Sequence, residues 1–559
     1  MPMHRATAAT SGDARISRAT LFAALIAGLA LMASEGDAAG VGAITGGALA
    51  LPRDEISDAQ RANIKATIAT NVEALRRVGR IPELFAKAAP ATPLQEGPPV
   101  PLQWPLRLVP GHPEPGATTV LNYVDHDPGY PGQVLDYNCG QRSYDQEDGY
   151  NHQGTDITAH PFAWRKMDND EAIVVAAATG IVVAKLDGQY DRSCTLADQP
   201  WNAVYVMHPD GSVAWYGHLK SGSLTSKQEG DWVLAGEFLG VMGSSGDSTG
   251  PHLHFELYDA SGNLIDPFAG ACNSFNTVSW WAEQRPYDQR AIDLVMTGDA
   301  AIEFLPCPNE AIEHRSSYFQ PGQTVYLTGF FTDQHGSDAA VFNVYAPDGS
   351  LFATVTIPSD ADYYAASYWE TSVALPSNAT NGSWRFEVQF AGQVQSVPFQ
   401  VGATEPPRDE IVEYYAPSLD HYFVTGFANE EAALDAGTIP GWTRTGNSFP
   451  AYATPGAGMA TVCRFFGTPG LGVNSHFYTA FDDECAAVKA MPAWTFEANA
   501  FYVDADLAQC PPSTRPVFRL YNNSMGGDPN HRYVTSWPTI DAMQTAGWLL
   551  EGLVFCAPL

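Results

Sequence analysis

The chain is short of positive charge. Of 559 residues only 29 are Lys or Arg against 62 Asp or Glu, a formal net charge of −33. A surface this negative repels phosphate backbones and argues against nucleic acid as a partner. Charged residues make up only 16%, but hydrophobic residues reach 45% and aromatics 11%, which is packed globular composition and not that of a disordered chain. Long apolar runs are also lacking. After the first forty residues no stretch of eighteen uninterrupted apolar residues occurs, so no membrane span is expected once a signal is removed. There is no C-x-x-C among the eight cysteines. An even, scattered set fits structural disulfides in an oxidising compartment better than a zinc knuckle. Connectivity is open at this level; pairing of neighbours (Cys139–Cys194, Cys272–Cys307, Cys463–Cys485, Cys510–Cys556) is the simplest expectation.

The length exceeds what one hydrophobic core supports and suggests three or four domains. With 50 Gly and 41 Pro, the expected class is mainly β and multidomain. Arg15 and Arg18 precede an apolar run, Leu21 to Met32, followed by small residues at Ala33 and Gly36–Ala39. This is the pattern of a signal peptide over 1–39, and the expected location is extracellular or periplasmic. Residues 54–79 read as an amphipathic helix with Ile56, Ile64, Ile68, Val72 and Leu75 at helical spacing. A Pro-rich stretch, Ala88 to Pro115, follows it. Together 40–116 form a helical arm or pro-segment with a linker, and the sequence does not decide between packing arm and pro-segment.

From 117 to 288 short strands alternate with Gly and Asp turns, among them Ala172–Ala178, Ile181–Lys185, Ala203–His208, Val213–Tyr216 and Phe238–Met242. From 289 to 403 strands such as Thr324–Phe330 and Trp384–Phe390 alternate in period two, the pattern of an immunoglobulin-like sandwich. PPRDE at 406–410 leads into a repeat over 409–559. His421, His476 and His531 lie 55 residues apart. Trp442, Trp494 and Trp548 are each followed seven residues later by Phe449, Phe501 and Phe555. Three copies at this period imply a closed, pseudo-threefold unit with a shared core, β-rich with short helices. Its histidines are expected to be hydrogen-bonded repeat residues, with convergence on a metal or sugar as the lesser alternative.

The chemistry is concentrated in NHQGTD at 151–156, YGH at 216–218 and STGPHLHFEL at 248–257. On a strand, alternate residues face one side, so His252 and His254 project together. His152 and Asp156 share a face if their segment is extended, and Gly154 between them leaves room for close approach. Two imidazoles and one carboxylate suit catalytic zinc, which takes three protein ligands and keeps one position for water. Further histidines can move that water's proton, since imidazole titrates near neutrality.

In this ordered set the chain resembles the lysostaphin-like zinc endopeptidases of bacterial cell walls. The matching text is His152-Gln-Gly-Thr-Asp156, Tyr216-Gly-His218, His252-Leu-His254-Phe-Glu256 and Asp266-Pro267, within roughly residues 150–270. The resemblance implies Zn2+ bound by His152, Asp156 and His254, with His218 and His252 as the catalytic histidines. It implies a small antiparallel β-sheet with the site in a groove, and hydrolysis of peptide bonds in peptidoglycan stems or cross-bridges. Glu256, on the same face as His254, is expected either to support the site or to belong to the strand's polar edge, and His208 reads as structural. The insert around Cys194 is expected to reshape the groove. Alternatives are a wall-binding or adhesion protein with a vestigial peptidase domain, and the same chemistry on Gly-rich proteins. A cell-surface glycan is a candidate partner of the repeat region.

Overall fold

The structure, a computed structural model, describes residues 41–82, 85, 100–112, 114, 118–456, 458–506, 509–511, 513–525 and 529–559. The expected signal peptide and residues 88–99, 113 and 115 of the Pro-rich stretch lie outside these. The chain is mainly β and multidomain.

The central sheet runs in the order Thr118–Asn122, Thr155–Ala159, Leu253–Tyr258, Val213–Gly217, Ala203–Met207, Gly180–Leu186 and Trp232–Val233, and its pairings are antiparallel. Val, Ile, Phe and Tyr at alternate positions give it two apolar faces. One face (Val120, Ile157, Val182, Val204, Phe255, Leu257) packs on a three-stranded sheet of Leu106–Leu108, Ala172–Val175 and Phe238–Val241. The opposite face (Ile181, Val183, Tyr205, Trp215, Tyr258) is covered by Ile56, Ile68, Ile81 and Phe85 of the N-terminal segment. His254, Glu256 and Tyr258 point to this second face, because Phe255 and Leu257 take the first.

The N-terminal helix spans Asp58–Arg77, four residues shorter at its start than the sequence pattern suggests. Ser57 caps it through Gln60 N, and the Gln60 side chain returns to Ser57 N, a reciprocal capping box that fixes the first turn. Residues 54–57 are thereby left extended. Ahead of them, Thr45–Ala48 adds an antiparallel edge to the strand Tyr363–Ala374. Gly46 is required there, since a Cβ would meet the Tyr368 carbonyl at 2.2 Å.

A second apolar core lies between two sheets, one containing Ala291–Gly298, Thr324–His335 and Tyr363–Ala374, the other Ala340–Tyr345, Leu351–Ile357, Gly382–Phe390 and Gln393–Val401. A third core belongs to the repeats. Phe449, Phe501 and Phe555 meet pairwise with ring centroids 5.9, 5.7 and 6.4 Å apart, so one phenylalanine per unit fills the pseudo-threefold axis. Arg464 pairs with Glu430 of the preceding unit at 2.8 Å, and Arg519 with Glu484 at 3.0 Å. At the closing junction the polarity reverses: Arg532 of the last unit pairs with Glu413 of the first at 2.8 Å. The repeat histidines do not converge: His476 sits on Phe423 and Glu497, His531 on Phe477 and Glu551. Phe518, Leu520, Trp537 and Ile540 of the last unit pack on Ile173, Val175, Phe238 and Val241, docking the repeats behind the central sheet.

Two of the four expected disulfides are corrected. Cys463–Cys485 and Cys510–Cys556 join neighbours, but the others are Cys139–Cys272 and Cys194–Cys307. Sheet closure brings 139 to 272, and the Cys194 loop reaches out to the region preceding Tyr318. Neighbour pairing assumed compact local loops and failed where the chain folds back over more than a hundred residues. Among the described residues, no helix is long and apolar enough to cross a membrane.

Candidate metal centre

Register in the central sheet assembles the site. Leu253–Tyr258 lies between Thr155–Ala159 and Val213–Gly217, with His254 directly opposite Asp156 on one side and Gly217 on the other. His218 follows Gly217 with φ 60°, a left-handed turn after which its ring lies 4.5 Å from that of His252. Gly154 leaves the space that the His254 ring fills, since a Cβ there would stand 2.4 Å from His254 Nε2. A Cβ on Gly217 would meet the Trp201 ring at 2.1 Å, and Trp201 in turn borders His218 and His254.

His152, Asp156 and His254 converge. His152 Nε2 lies 3.0 Å from Asp156 Oδ1, and His254 Nδ1 lies 3.0 Å from the same oxygen. Outer partners set each ring. The Tyr123 carbonyl, 2.7 Å from His152 Nδ1, accepts that proton and frees Nε2. Glu256 Oε1, 2.8 Å from His254 Nε2, does the same for Nδ1. Asn122 Nδ2 donates to Asp156 Oδ2 at 2.9 Å. His218 and His252 turn their Nδ1 atoms to the Ser245 and Gly250 carbonyls, at 2.6 and 2.9 Å. Their Nε2 atoms face the shared space, and that of His252 is buried without a hydrogen-bond partner. All five side chains are buried.

Sequence reading missed one member. Asp54, from the N-terminal segment, is wholly buried among the histidines, with Oδ2 2.7 Å from His218 Nε2 and 2.5 Å from His254 Nδ1. It lies in an ordinary acidic stretch, PRDEISD, and no pattern there marks it. Arg61 was missed as well: it reaches Glu256 Oε2 and the Tyr258 hydroxyl at 2.5 and 2.6 Å. His208 is buried with Nδ1 on the Thr179 carbonyl.

Electrostatics follow from these distances. Burial would raise the Asp54 carboxyl, but the His254 charge and hydrogen bonds from His218 and His254 outweigh it, with His252 3.6 Å away, and hold it well below the ordinary carboxylate range. Burial would likewise lower His254, and Asp54, Asp156 and Glu256 together hold it well above 6.5. Burial and the neighbouring His252 push His218 down. Glu256 sits at about 2 because Arg61 and His254 overcome its desolvation.

The donors suit a divalent cation. Two sets, Asp54–His152–Asp156–His254 and Asp54–His218–His252–His254, each offer donor atoms within 4.8 Å of one another. The two 3.0 Å separations about Asp156 Oδ1 approach the edge of about 3.3 Å expected between ligands of tetrahedral zinc. The unpartnered His252 Nε2 beside them is aimed into the same space.

The chain is similar to known proteins over part of its length. Residues 150–267 match the model of peptidase family M23. Residues 362–503 and 410–558 match a domain of unknown function, DUF5648. The DD-carboxypeptidase/endopeptidase Mpg of Neisseria meningitidis is 49% identical over 70 residues, 12% of this chain and 15% of that protein. The cell division protein DipM of Caulobacter vibrioides is 34% identical over 89 residues, 16% of this chain and 14% of that one. The chain thus spans about 15% of the length of these relatives. Among solved structures, a zinc-containing peptidase from Vibrio cholerae aligns over 29% of this chain and 39% of its own at 22% identity, TM-score 0.19. The catalytic domain of the M23 protein EnpA from Enterococcus faecalis aligns over 28% and 95% at 24% identity, TM-score 0.18. Residues 150–267 are an M23 peptidase domain of lysostaphin-like type.

Proposed function

We propose that this M23 domain makes the chain an exported zinc metallo-endopeptidase that hydrolyses peptide bonds of bacterial peptidoglycan. The observation that carries the reading is the meeting of His152, Asp156 and His254, with His218 and His252 facing the same space. His152 Nε2, Asp156 and His254 Nδ1 would hold the metal. When bound, zinc supplies Lewis acidity, polarising the scissile carbonyl and bringing water's pKa toward neutrality.

The remaining groups handle protons and charge. With Nδ1–H fixed on the Ser245 carbonyl, His218 presents a basic Nε2 that takes the proton of the attacking water. His252, fixed in the same way on Gly250, orients that water and steadies the developing oxyanion. The proton then passes to the leaving amine. Glu256 holds the His254 ring in the tautomer that leaves Nδ1 free, and Asn122 orients Asp156. Four disulfides suit an exported chain. Peptidoglycan is favoured because the matched relatives bear the names of a DD-carboxypeptidase/endopeptidase and a cell division protein.

The test is mass spectrometry of muropeptides from sacculi treated with the zinc-loaded chain and with its Asp54→Ala variant. New amino groups at peptide bonds, suppressed by a chelator, are expected from at least one form. Intact peptides with both forms, or cleavage confined to glycan bonds, overturn the reading.

A further inference from the structure

The third junction between repeats is built differently from the other two, and the difference leaves an open space. Glu430 lies on the helix Ala428–Asp435 and Arg464 on the strand Met459–Gly467 of the next unit, so their ion pair ties helix to strand. Glu484 on Asp482–Lys489 and Arg519 on Thr514–Tyr521 repeat the tie. On the last helix, Trp537–Thr545, the residue 55 positions after Glu484 is Thr539, a hydroxyl in place of the carboxylate. Between this helix and the first unit lies a cleft of about 570 Å³, lined among others by Asp420, Tyr422, Arg532, Thr539, Ala542 and Trp548. That volume falls in the range of small-ligand sites.

The cleft has an apolar side and a polar side. Tyr422 and Trp548 meet edge to face with centroids 5.9 Å apart, and Ala542, Met543 and Ala546 extend this side along the helix. Met543 and Trp548 also belong to the apolar contact with Phe238 and Val241, which fixes the cleft relative to the central sheet. On the polar side Asp420 is exposed. Its Oδ1 accepts from the Tyr415 hydroxyl at 2.8 Å, and a carboxylate has acceptor capacity to spare beyond one such bond. Ser475 and Asn530, at the same place in the other two units, are instead buried and bonded to each other at 2.9 Å. Arg532 is buried 4.0 Å above the Tyr422 ring, with Nε and Nη2 on Glu413. Its Nη1 meets the Met543 sulfur at 3.2 Å, a weak acceptor, so a buried donor faces the cleft.

We infer that this cleft binds a neutral saccharide carrying N-acetyl groups. Glu413 already balances the Arg532 charge and Asp420 is acidic, so the cleft does not select an anion. A pyranose has one apolar C–H face and a rim of hydroxyls. The apolar face packs on the Tyr422–Trp548 pair, the hydroxyls donate to Asp420, and an acyl carbonyl accepts from Arg532 Nη1. The acetamido methyl takes the patch of Ala542, Met543 and Ala546, where its burial is favourable. The inference goes beyond the peptidase reading and uses none of its residues. Taken with that reading, it gives a chain held on glycan by one region while another cuts peptide.

The test is isothermal titration of the full zinc-loaded chain with N,N′,N″-triacetylchitotriose, and with cellotriose, which has hydroxyls in place of the acetamido groups. A Kd of about 0.1–1 mM is expected for the acetylated sugar, with cellotriose weaker by about 10-fold or more. Ala542→Arg fills the cleft from an exposed helix position and is expected to weaken binding by about 10-fold or more with zinc content unchanged. Asp420→Asn suits the left-handed backbone at this position and keeps an acceptor for Tyr415. It is expected to weaken binding by about 3- to 10-fold, and it decides the matter if Ala542→Arg does not fold. Absence of binding by the full chain, unchanged affinity in either variant, or equal affinity for the two sugars overturns the inference. None of these readouts involves peptide cleavage, so failure here is distinct from failure of the peptidase reading.

Discussion

Asp156 and His254 stand directly opposite each other on adjacent antiparallel strands, with Oδ1 3.0 Å from Nδ1. The pairing register itself sets the distance between two of the three proposed ligands, so the centre is as rigid as the sheet that carries it.

Ligand and proton-transfer roles are separable. In the Asp54→Ala background, His254→Ala is expected to lower zinc affinity by at least 100-fold, measured as metal retained on dialysis. His218→Ala is expected to retain one zinc while peptide cleavage falls by roughly 100- to 10,000-fold, the contribution typical of a general base. Zinc loss in His218→Ala, or full turnover, contradicts the assignment.

Glu256 serves two partners, His254 Nε2 and Arg61. Glu256→Gln is therefore expected to weaken zinc binding by about 10- to 100-fold, as for other outer partners of ligating histidines. It also leaves the buried Arg61 guanidinium without a counter-charge, at a cost of about 3–5 kcal/mol, and the helix Asp58–Arg77 should lose protection from amide exchange first. A melting curve and a zinc titration on the same variant read both effects.

A pH dependence comes from the domain junction. Asp293 lies buried between the Thr332 hydroxyl at 2.5 Å and His160 Nε2 at 3.4 Å, with Lys166 and Glu114 nearby. Desolvation pushes its carboxyl up to about 8. Burial and Lys166 push His160 down to about 3, so both groups are neutral near pH 7. Stability from protonated Asp293 is complete below the ordinary value of 3.8 and is lost as pH rises through about 8. That from neutral His160 is present above 6.5 and is lost as pH falls toward 3. Between pH 6.5 and about 8 only the Asp293 contribution changes, by about 2 kcal/mol over that interval. Asp293→Asn is expected to gain that much on the parent chain across this window, read as a rising difference in Tm. A constant difference refutes the neutral carboxyl.

The Cys194–Cys307 bridge closes a separation of 113 residues. Replacing both by Ser is expected to destabilise by roughly 2–4 kcal/mol, because a long loop regains its freedom when unfolded. Calorimetry should show the effect in the unfolding of the central sheet and the adjoining sandwich together, with the transition of the repeat region unmoved.

The five-residue cluster was legible because strand periodicity puts His252 and His254 on one side, and because NHQGTD, YGH and PHLHFE keep a recognisable order. The repeat axis was legible from the fixed interval between each tryptophan and its phenylalanine. Asp54 and Arg61 were not. Each acts about 195 residues from its partner strand, through docking that leaves no periodic trace, and the helical reading absorbed Asp54 into a first turn it does not join. Ser57 with Gln60 three residues on held the correction, as a capping pair that starts the helix after the acidic residue. The bridges of Cys139 and Cys194 depend on how the sheet closes and which domain lies beside it, and neither is visible from spacing.

The reversed ion pair between Arg532 and Glu413 gives the ring a clasp. Going round the ring, the unit after each of the other two junctions brings the arginine, whereas here the unit before the junction, the last in the chain, brings it, and Tyr414 and Thr539 stand where the usual pair would be. First and last units are thus labelled as ends: neither carries both halves of the ordinary junction, so copies of either alone have no matched partner with which to continue. The circle shuts head to tail, and cutting the clasp by Glu413→Gln should open it at that seam before either of the others.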